Sequence, residues 1–113
     1  MKDTLFVLRP GFDDHGETWF CPYSAQVIGF LAYYPEVRSS LDVVELEFPK
    51  PRKPIVDLVG EQHQSAPLLV LGGEPEKHVP KVHVGEANGH KFVEKTIEIL
   101  RYLAATRGVP GPH

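Results

Sequence analysis

Three short apolar runs constrain the fold of this chain more than any other feature of its sequence. They cover residues 4–8, 41–48 and 68–72; the first and third are continuous, whereas the second alternates between apolar and polar residues. Apolar runs of this length are typical of strands, and continuous ones indicate strands that are covered on both faces. A helical pattern separates the first two runs, so we expect those strands to pair in parallel through a crossover. The pattern predicts an α/β fold.

The first helix is predicted over residues 22–34. Pro22 falls at its first position, where a missing N–H has no helical partner to lose. Pro35 is expected to end it, because the residue before a proline is pushed out of the helical region. The predicted buried face contains Val27, Ile28, Leu31 and Tyr34.

The middle of the chain is predicted to contain a strand, a proline-rich segment and a short helix. Residues 41–48 read as the second strand, with one apolar face formed by Val44, Leu46 and Phe48. The three prolines of residues 49–54 exclude a central strand and predict an exposed, extended crossing segment. Pro54 is expected to open a short helix that ends by His63.

The C-terminal third is predicted to hold an antiparallel strand pair and a helix. Residues 73–89 read as a long loop with a minor strand at 82–84, and residues 90–93 as a short edge strand. Residues 10–20 also read as a loop. The last helix is expected from Glu94 to Thr106, with a buried face of Ile97, Leu100, Leu103 and Ala104.

Composition and charge narrow the class of protein. The chain has 113 residues, which predicts one domain over residues 1–113. A net charge of −3 gives no basic field for nucleic acid or an anionic membrane. The single cysteine excludes an internal disulfide and favours a reducing compartment. The first apolar run is too short for a signal peptide or a membrane span, so we expect a cytoplasmic protein.

The element order, with Cys21 at the start of helix 1 and Pro67 directly before the third strand, resembles the thioredoxin-like fold. The order predicted from the pattern is β-α-β-α-β-β-α, in a four-stranded mixed sheet flanked by helices. The motif "CPYS", residues 21–24, is similar to the glutaredoxin active site with Ser24 in place of the second cysteine. The motif "SAP", residues 65–67, resembles the cis-proline motif that faces the thiol in this fold.

Two further resemblances concern the ends of the chain. Glu94, after the last strand, resembles the glutamate with which glutathione transferases hold the γ-glutamyl end of glutathione. Over nearly its full length the chain is similar to a family of small bacterial proteins with thioredoxin-like architecture and no assigned activity. The text that carries this likeness includes "LFVLRPGF", the Cys-Pro near residue 21, "QSAP" and "RYLA".

The resemblance implies monothiol chemistry. Cys21 would be the nucleophile, because a helix N-terminus favours the thiolate, and Ser24 would stabilise it. The second thiol would come from glutathione or from the cysteine of a partner protein. The expected substrate contacts are Tyr23, Ser65, Ala66, Pro67 and Glu94.

Several departures keep other interpretations open. The lysine that glutaredoxins place before the active cysteine is missing, since Thr18 and Trp19 stand there, and Lys95 replaces the serine that follows the transferase glutamate. These changes favour a non-enzymatic interaction module, in which Cys21 is an inert small residue. An iron–sulfur cluster shared with glutathione is a third interpretation. No histidine spacing matches a zinc pattern, so no metal site is predicted, and the sequence leaves the oligomeric state open.

Overall fold

The computed structural model describes residues 1–113, which form one five-stranded mixed sheet, a separate two-stranded hairpin and four helices. The strands are β1 (Asp3–Leu8), β2 (Phe12–Asp14), β3 (Glu17–Trp19), β4 (Leu41–Leu46), β5 (Leu68–Val70), β6 (Gly85–Ala87) and β7 (His90–Val93). The helices are α1 (Pro22–Tyr33), α2 (Pro35–Ser39), α3 (Lys53–Val59) and α4 (Thr96–Arg107).

The large sheet has the order β4-β1-β5-β7-β6. The expected parallel pairing of the first two runs is confirmed, with Asp3 opposite Leu41 and Leu8 opposite Leu46. The pairs β1–β5, β5–β7 and β6–β7 are antiparallel. The sheet is flanked by helices, but it has five strands where four were predicted. The additional strand is β6, so β7 is an internal strand rather than an edge, and residues 82–84 form no strand.

The prediction of a loop over residues 10–20 was wrong. Strands β2 and β3 pair there, with Phe12 opposite Trp19, as a hairpin outside the large sheet. Its two-residue turn is His15-Gly16, and both residues have positive φ, 52° and 76°. This conformation matches the twist of a tight hairpin, and glycine enters it without strain. The hairpin leads directly into Cys21.

Alternate residues of β1 supply two separate apolar cores, one on each face of the sheet. Leu5 and Val7 pack with buried residues of α1, α2 and α4, and Phe6 and Leu8 pack with Ile55 and Val59 of α3. Two predicted core residues are wrong, since Ile28 is 36% exposed and Ile97 is 42% exposed. A period of 3.6 residues does not distinguish one helix face from the face next to it. The buried residues of α4 are Ile99, Tyr102, Leu103 and Ala104.

The helix bounds also differ from the predicted ones. Pro35 does more than end α1, because it is the first residue of α2. Helix α4 begins at Thr96 with Lys95 as its N-cap, so Glu94 lies outside it. Helix α3 ends at Val59, where Gly60 takes a φ of 87°. No helix of the structure combines the length and the apolar character that crossing a membrane requires.

Candidate functional site

Cys21 is the N-cap of α1. Its backbone is extended, with φ −82° and ψ 115°, and its Sγ accepts the N–H of Ser24 at 3.4 Å. Pro22 has no N–H, so the first main-chain donors of the helix are those of Tyr23 and Ser24. The side chain is half-buried and forms no disulfide. A sulfur in this position faces unpaired N–H groups and the positive end of the helix dipole.

Ser24 connects the start of α1 to the end of β1. Ser24 is only 3% exposed, and its Oγ accepts the N–H of Leu8 at 3.0 Å. The hydrogen bond to the Cys21 sulfur therefore comes from the Ser24 main chain, while the hydroxyl holds the last residue of the strand. This contact fixes the helix start, and with it the sulfur, against the carboxyl end of β1.

Arg52 is the only cationic residue of the buried class, at 9% exposure. Its Nε and Nη2 donate to the Phe48 carbonyl at 3.1 and 2.8 Å, and its Nη1 donates to the Gln64 carbonyl at 2.7 Å. Its guanidinium carbon lies 5.7 Å from the centroid of the Phe48 ring. The prediction that residues 49–54 form an exposed segment is wrong at this residue, because three hydrogen bonds to carbonyls and one ring contact hold the guanidinium inside.

Arg52 interacts electrostatically with Cys21. Burial lowers the pKa of Arg52 below its ordinary value, and electrostatic attraction to Cys21 opposes that shift. Arg52 forms no ion pair with any carboxylate of the chain, whereas eight such contacts occur elsewhere. An arginine stays protonated at neutral pH even when its pKa falls. The site therefore combines a helix N-terminus with a buried, unneutralised cation.

The segment before β5 is held in place by Gln64. Its Oε1 accepts the Arg52 N–H at 2.7 Å, and its Nε2 donates to the Glu61 carbonyl at 2.9 Å. The next three residues are Ser65, which is exposed, Ala66, which is half-buried, and Pro67, which is buried. The Ala66–Pro67 peptide bond is cis, and so is Lys50–Pro51. Ala66 and Cys21 pack against the same apolar core, so the structure brings these two predicted residues to one region.

The side chains of Glu94 and Tyr23 form no hydrogen bond or ion pair with Cys21, Arg52 or Gln64. The Glu94 carboxylate is exposed and lies 3.6 Å from Nδ1 of His63, whose ring packs on Phe92 at a centroid distance of 4.6 Å. Tyr23 is 58% exposed, and its hydroxyl makes no hydrogen bond within the chain. No three His, Cys, Asp or Glu side chains converge where they could hold a metal ion.

Sequence reasoning missed Arg52, His63 and Gln64. Arg52 was hidden among prolines and lysines that read as an exposed run, although the aromatic Phe48 four residues earlier is a signal for a stacked guanidinium. Gln64 and His63 carried no signal of their own. Their roles depend on contacts with Arg52 and Glu94, which are 12 and 31 residues away.

The fold and this site define a mixed α/β protein with one half-buried thiol that caps a helix beside a buried cation. The chain belongs to the family described as "Protein of unknown function (DUF3088)", whose model matches residues 2–111. No curated protein and no solved structure matches the chain.

Proposed function

We propose that the chain is a thioredoxin-like monothiol protein whose Cys21 forms mixed disulfides with glutathione or with a partner-protein cysteine. Four strands in the order β4-β1-β5-β7, the first pair parallel and the others antiparallel, support the thioredoxin-like assignment. The cysteine at the start of α1 and the proline directly before β5 support it further. The free thiol fits the reducing cytoplasm, where we propose that the protein acts.

The single observation that carries the chemistry is the environment of the Cys21 sulfur. It accepts a main-chain N–H at a helix start and interacts with the buried Arg52 cation. Helix N-termini and neighbouring cations are among the environments that make protein thiols reactive. In this proposal Ser24 stabilises the sulfur through its main-chain N–H, and Arg52 supplies a positive charge near it.

The proposed reaction is thiol–disulfide exchange with one protein thiol. The Cys21 thiolate attacks one sulfur of a disulfide, the S–S bond breaks, and the other sulfur leaves as a thiolate. A second thiol, from glutathione or the partner, then attacks the mixed disulfide and releases Cys21. The chain holds no other cysteine, so no internal thiol can perform this second step.

The proposed substrate site extends from Cys21 to the start of β5. The exposed Ser65 and the half-buried Ala66 present main-chain groups to which an extended peptide can add as a strand. Pro67 shapes this turn, and Tyr23 and Glu94 are proposed to contact the ends of the bound molecule. The Glu94 carboxylate would then leave its contact with His63 and pair with an ammonium group of the ligand.

Iodoacetamide kinetics test the nucleophile. We expect native Cys21 to react faster than the same residue in the urea-unfolded chain at pH values below about 7, because the folded site favours the thiolate. With oxidised glutathione, mass spectrometry should show the addition of one glutathionyl group, and Cys21→Ser should abolish it. Equal or slower alkylation of the native chain from about pH 5 to pH 9 would contradict the proposal.

The alternative is a protein-interaction module that keeps the fold without the chemistry. The exposed aromatic residues beside Cys21 favour it: Trp19 is 47% exposed, Phe20 63% and Tyr23 58%. Contiguous apolar surface of this kind is typical of interfaces. An NMR titration with reduced and oxidised glutathione separates the two functions. Shifts centred on Cys21, Ala66 and Glu94 support the monothiol function, and their absence at millimolar ligand supports the interaction module.

A further inference from the structure

A cavity of about 300 Å³ opens beside Cys21, on the side where α1 packs against the end of β1. Six of its ten lining residues are hydrophobic, among them Phe20, Ala25 and Ile28. Ser65, Ala66 and Pro67 do not line it. The sulfur therefore lies between two different surfaces, a peptide-like turn at β5 and a mainly apolar cavity at α1.

Ser24 gives this cavity a buried hydrogen-bond donor without an acceptor. The residue lines the cavity and is 97% buried, since only 3% of it is exposed. Its Oγ accepts the Leu8 N–H, but the hydroxyl donates to no group of the protein. A buried hydroxyl has both donor and acceptor capacity, and leaving the donor unused is unfavourable. An acceptor atom on a molecule in the cavity would complete this pairing.

The charged residues of the cavity cancel. Arg38 and Glu45 both line it, both are exposed, and neither forms an ion pair. Their opposite signs leave the cavity with no net charge to attract a singly charged group. Apolar walls disfavour a charged group further, because its water shell would have to be removed.

We propose that this cavity binds the group that a small thiol brings to Cys21: compact, uncharged and mainly apolar, with an atom near its sulfur that accepts a hydrogen bond from the Ser24 hydroxyl. This inference rests on the proposed mixed-disulfide chemistry and names its substrate class. In the step, the Cys21 thiolate attacks an R–S–S–R′ disulfide, the Cys21–S–R bond forms, and R′ leaves as its thiolate. The cavity volume of about 300 Å³ favours a compact R group.

Two methanethiosulfonate reagents test the preference. Benzyl and 2-sulfonatoethyl methanethiosulfonate both transfer their RS group to a thiolate and release methanesulfinate, so only the R group differs. The measured quantity is the rate constant with the benzyl reagent divided by the rate constant with the sulfonatoethyl reagent. We expect this ratio to be about tenfold higher for native Cys21 than for Cys21 in the urea-unfolded chain. Burial of two methylene-sized groups accounts for a ratio of this size.

A pair of isoleucine variants locates the preference. Ile28 lines the cavity, whereas Ile97 lies on α4 outside it, and the two are similarly exposed at 36% and 42%. Ile28→Lys should lower the benzyl preference at least fivefold and speed the reaction with the anionic reagent. Ile97→Lys should leave both rates within twofold of the parent chain.

The outcomes distinguish this inference from the proposed function. If native Cys21 reacts fast with both reagents but shows the preference of the unfolded chain, or if both lysine variants behave alike, the cavity inference is overturned and the thiol chemistry stands. If native Cys21 reacts with neither reagent faster than the unfolded chain does, the proposed function fails as well.

Discussion

The buried Arg52 and the partly buried Arg107 lie at opposite ends of the large sheet, and they face different surroundings. Arg107, in the last turn of α4, lies 3.1 Å from the carboxylate of Asp3, the first residue of β1, and 3.5 Å from that of Glu76. Arg52, near the carboxyl end of β1, contacts only carbonyl oxygens and an aromatic ring. One cation is neutralised by acids, and the other is not.

In our proposal, this difference separates the structural role of Arg107 from the functional role of Arg52. A buried ion pair whose remaining hydrogen bonds are made, as Arg107 makes them to Ser40 and Thr106, ties chain segments together. A buried cation without an acid retains its electrostatic effect for any anion that forms nearby. Because Cys21 is the group that Arg52 attracts, the thiolate of Cys21 is that anion in our proposal.

Arg107→Met should give the largest loss of stability. It leaves the Asp3 carboxylate, whose side chain is only 12% exposed, without its partner. We expect the free energy of unfolding in urea to fall by about 3–5 kcal/mol. Arg9→Met, which breaks an exposed pair with Glu47, is the control and should change it by less than about 1 kcal/mol. If both variants lose a similar amount of unfolding free energy, the ion pair of Arg107 with Asp3 stabilises the fold no more than an exposed pair does.

Ser24→Ala should have the next largest effect on stability, now at the Cys21 end. The buried Leu8 N–H loses its acceptor, so the free energy of unfolding should fall by about 2 kcal/mol. Ser39→Ala removes an exposed hydroxyl that bonds the Pro35 carbonyl, and it should change stability by less than about 0.5 kcal/mol. A neutral Ser24→Ala would mean that water replaces the hydroxyl.

Arg52→Met is the same substitution as at Arg107, but we expect it to affect the reactivity of Cys21 more than the stability of the fold. It leaves no acid unpaired, and the two carbonyls that it frees belong to half-exposed residues, so stability should fall by only about 1 kcal/mol. Alkylation of Cys21 at pH 7 should slow about tenfold, which corresponds to about 1.4 kcal/mol of lost attraction.

Arg52→Lys separates charge from shape at this position. It keeps the cation and should recover part of the alkylation rate, although lysine cannot reproduce the forked contacts to the Phe48 and Gln64 carbonyls. If methionine and lysine slow the reaction equally, Arg52 acts by packing, and its charge has no role in the chemistry.

The smallest effect concerns alkaline pH at the Arg107 end. Burial is the main cause that raises the pKa of Tyr102, and its hydroxyl accepts the Glu76 N–H. Above about pH 10 the unfolded chain loses the tyrosine proton before the folded one, so the unfolded state binds fewer protons and stability falls as pH rises. Urea titrations should show a shallower alkaline fall for Tyr102→Phe. Tyr33→Phe, at an 81% exposed residue, should match the parent chain.

Much of the fold was predictable because it depends on neighbours along the chain. The runs at residues 4–8 and 68–72 and the Pro22 helix start reflect local burial and backbone preferences, and all three became elements at nearly the predicted places. The hairpin at residues 12–19 and strand β6 were missed. Each strand there has only three residues, and they are half-exposed or exposed, so no periodicity marks them.

The sequence by itself determined the class of fold and the position of the one thiol at a helix start. Pro22, the apolar period and the lone cysteine are local facts, and their physical consequences act within a few residues. The tertiary structure alone decided that Arg52 is buried and attracts Cys21. That outcome needs the Gln64 carbonyl, twelve residues further along, to take the place of water around the guanidinium. A charged residue reads as exposed until distant parts of the chain supply such acceptors.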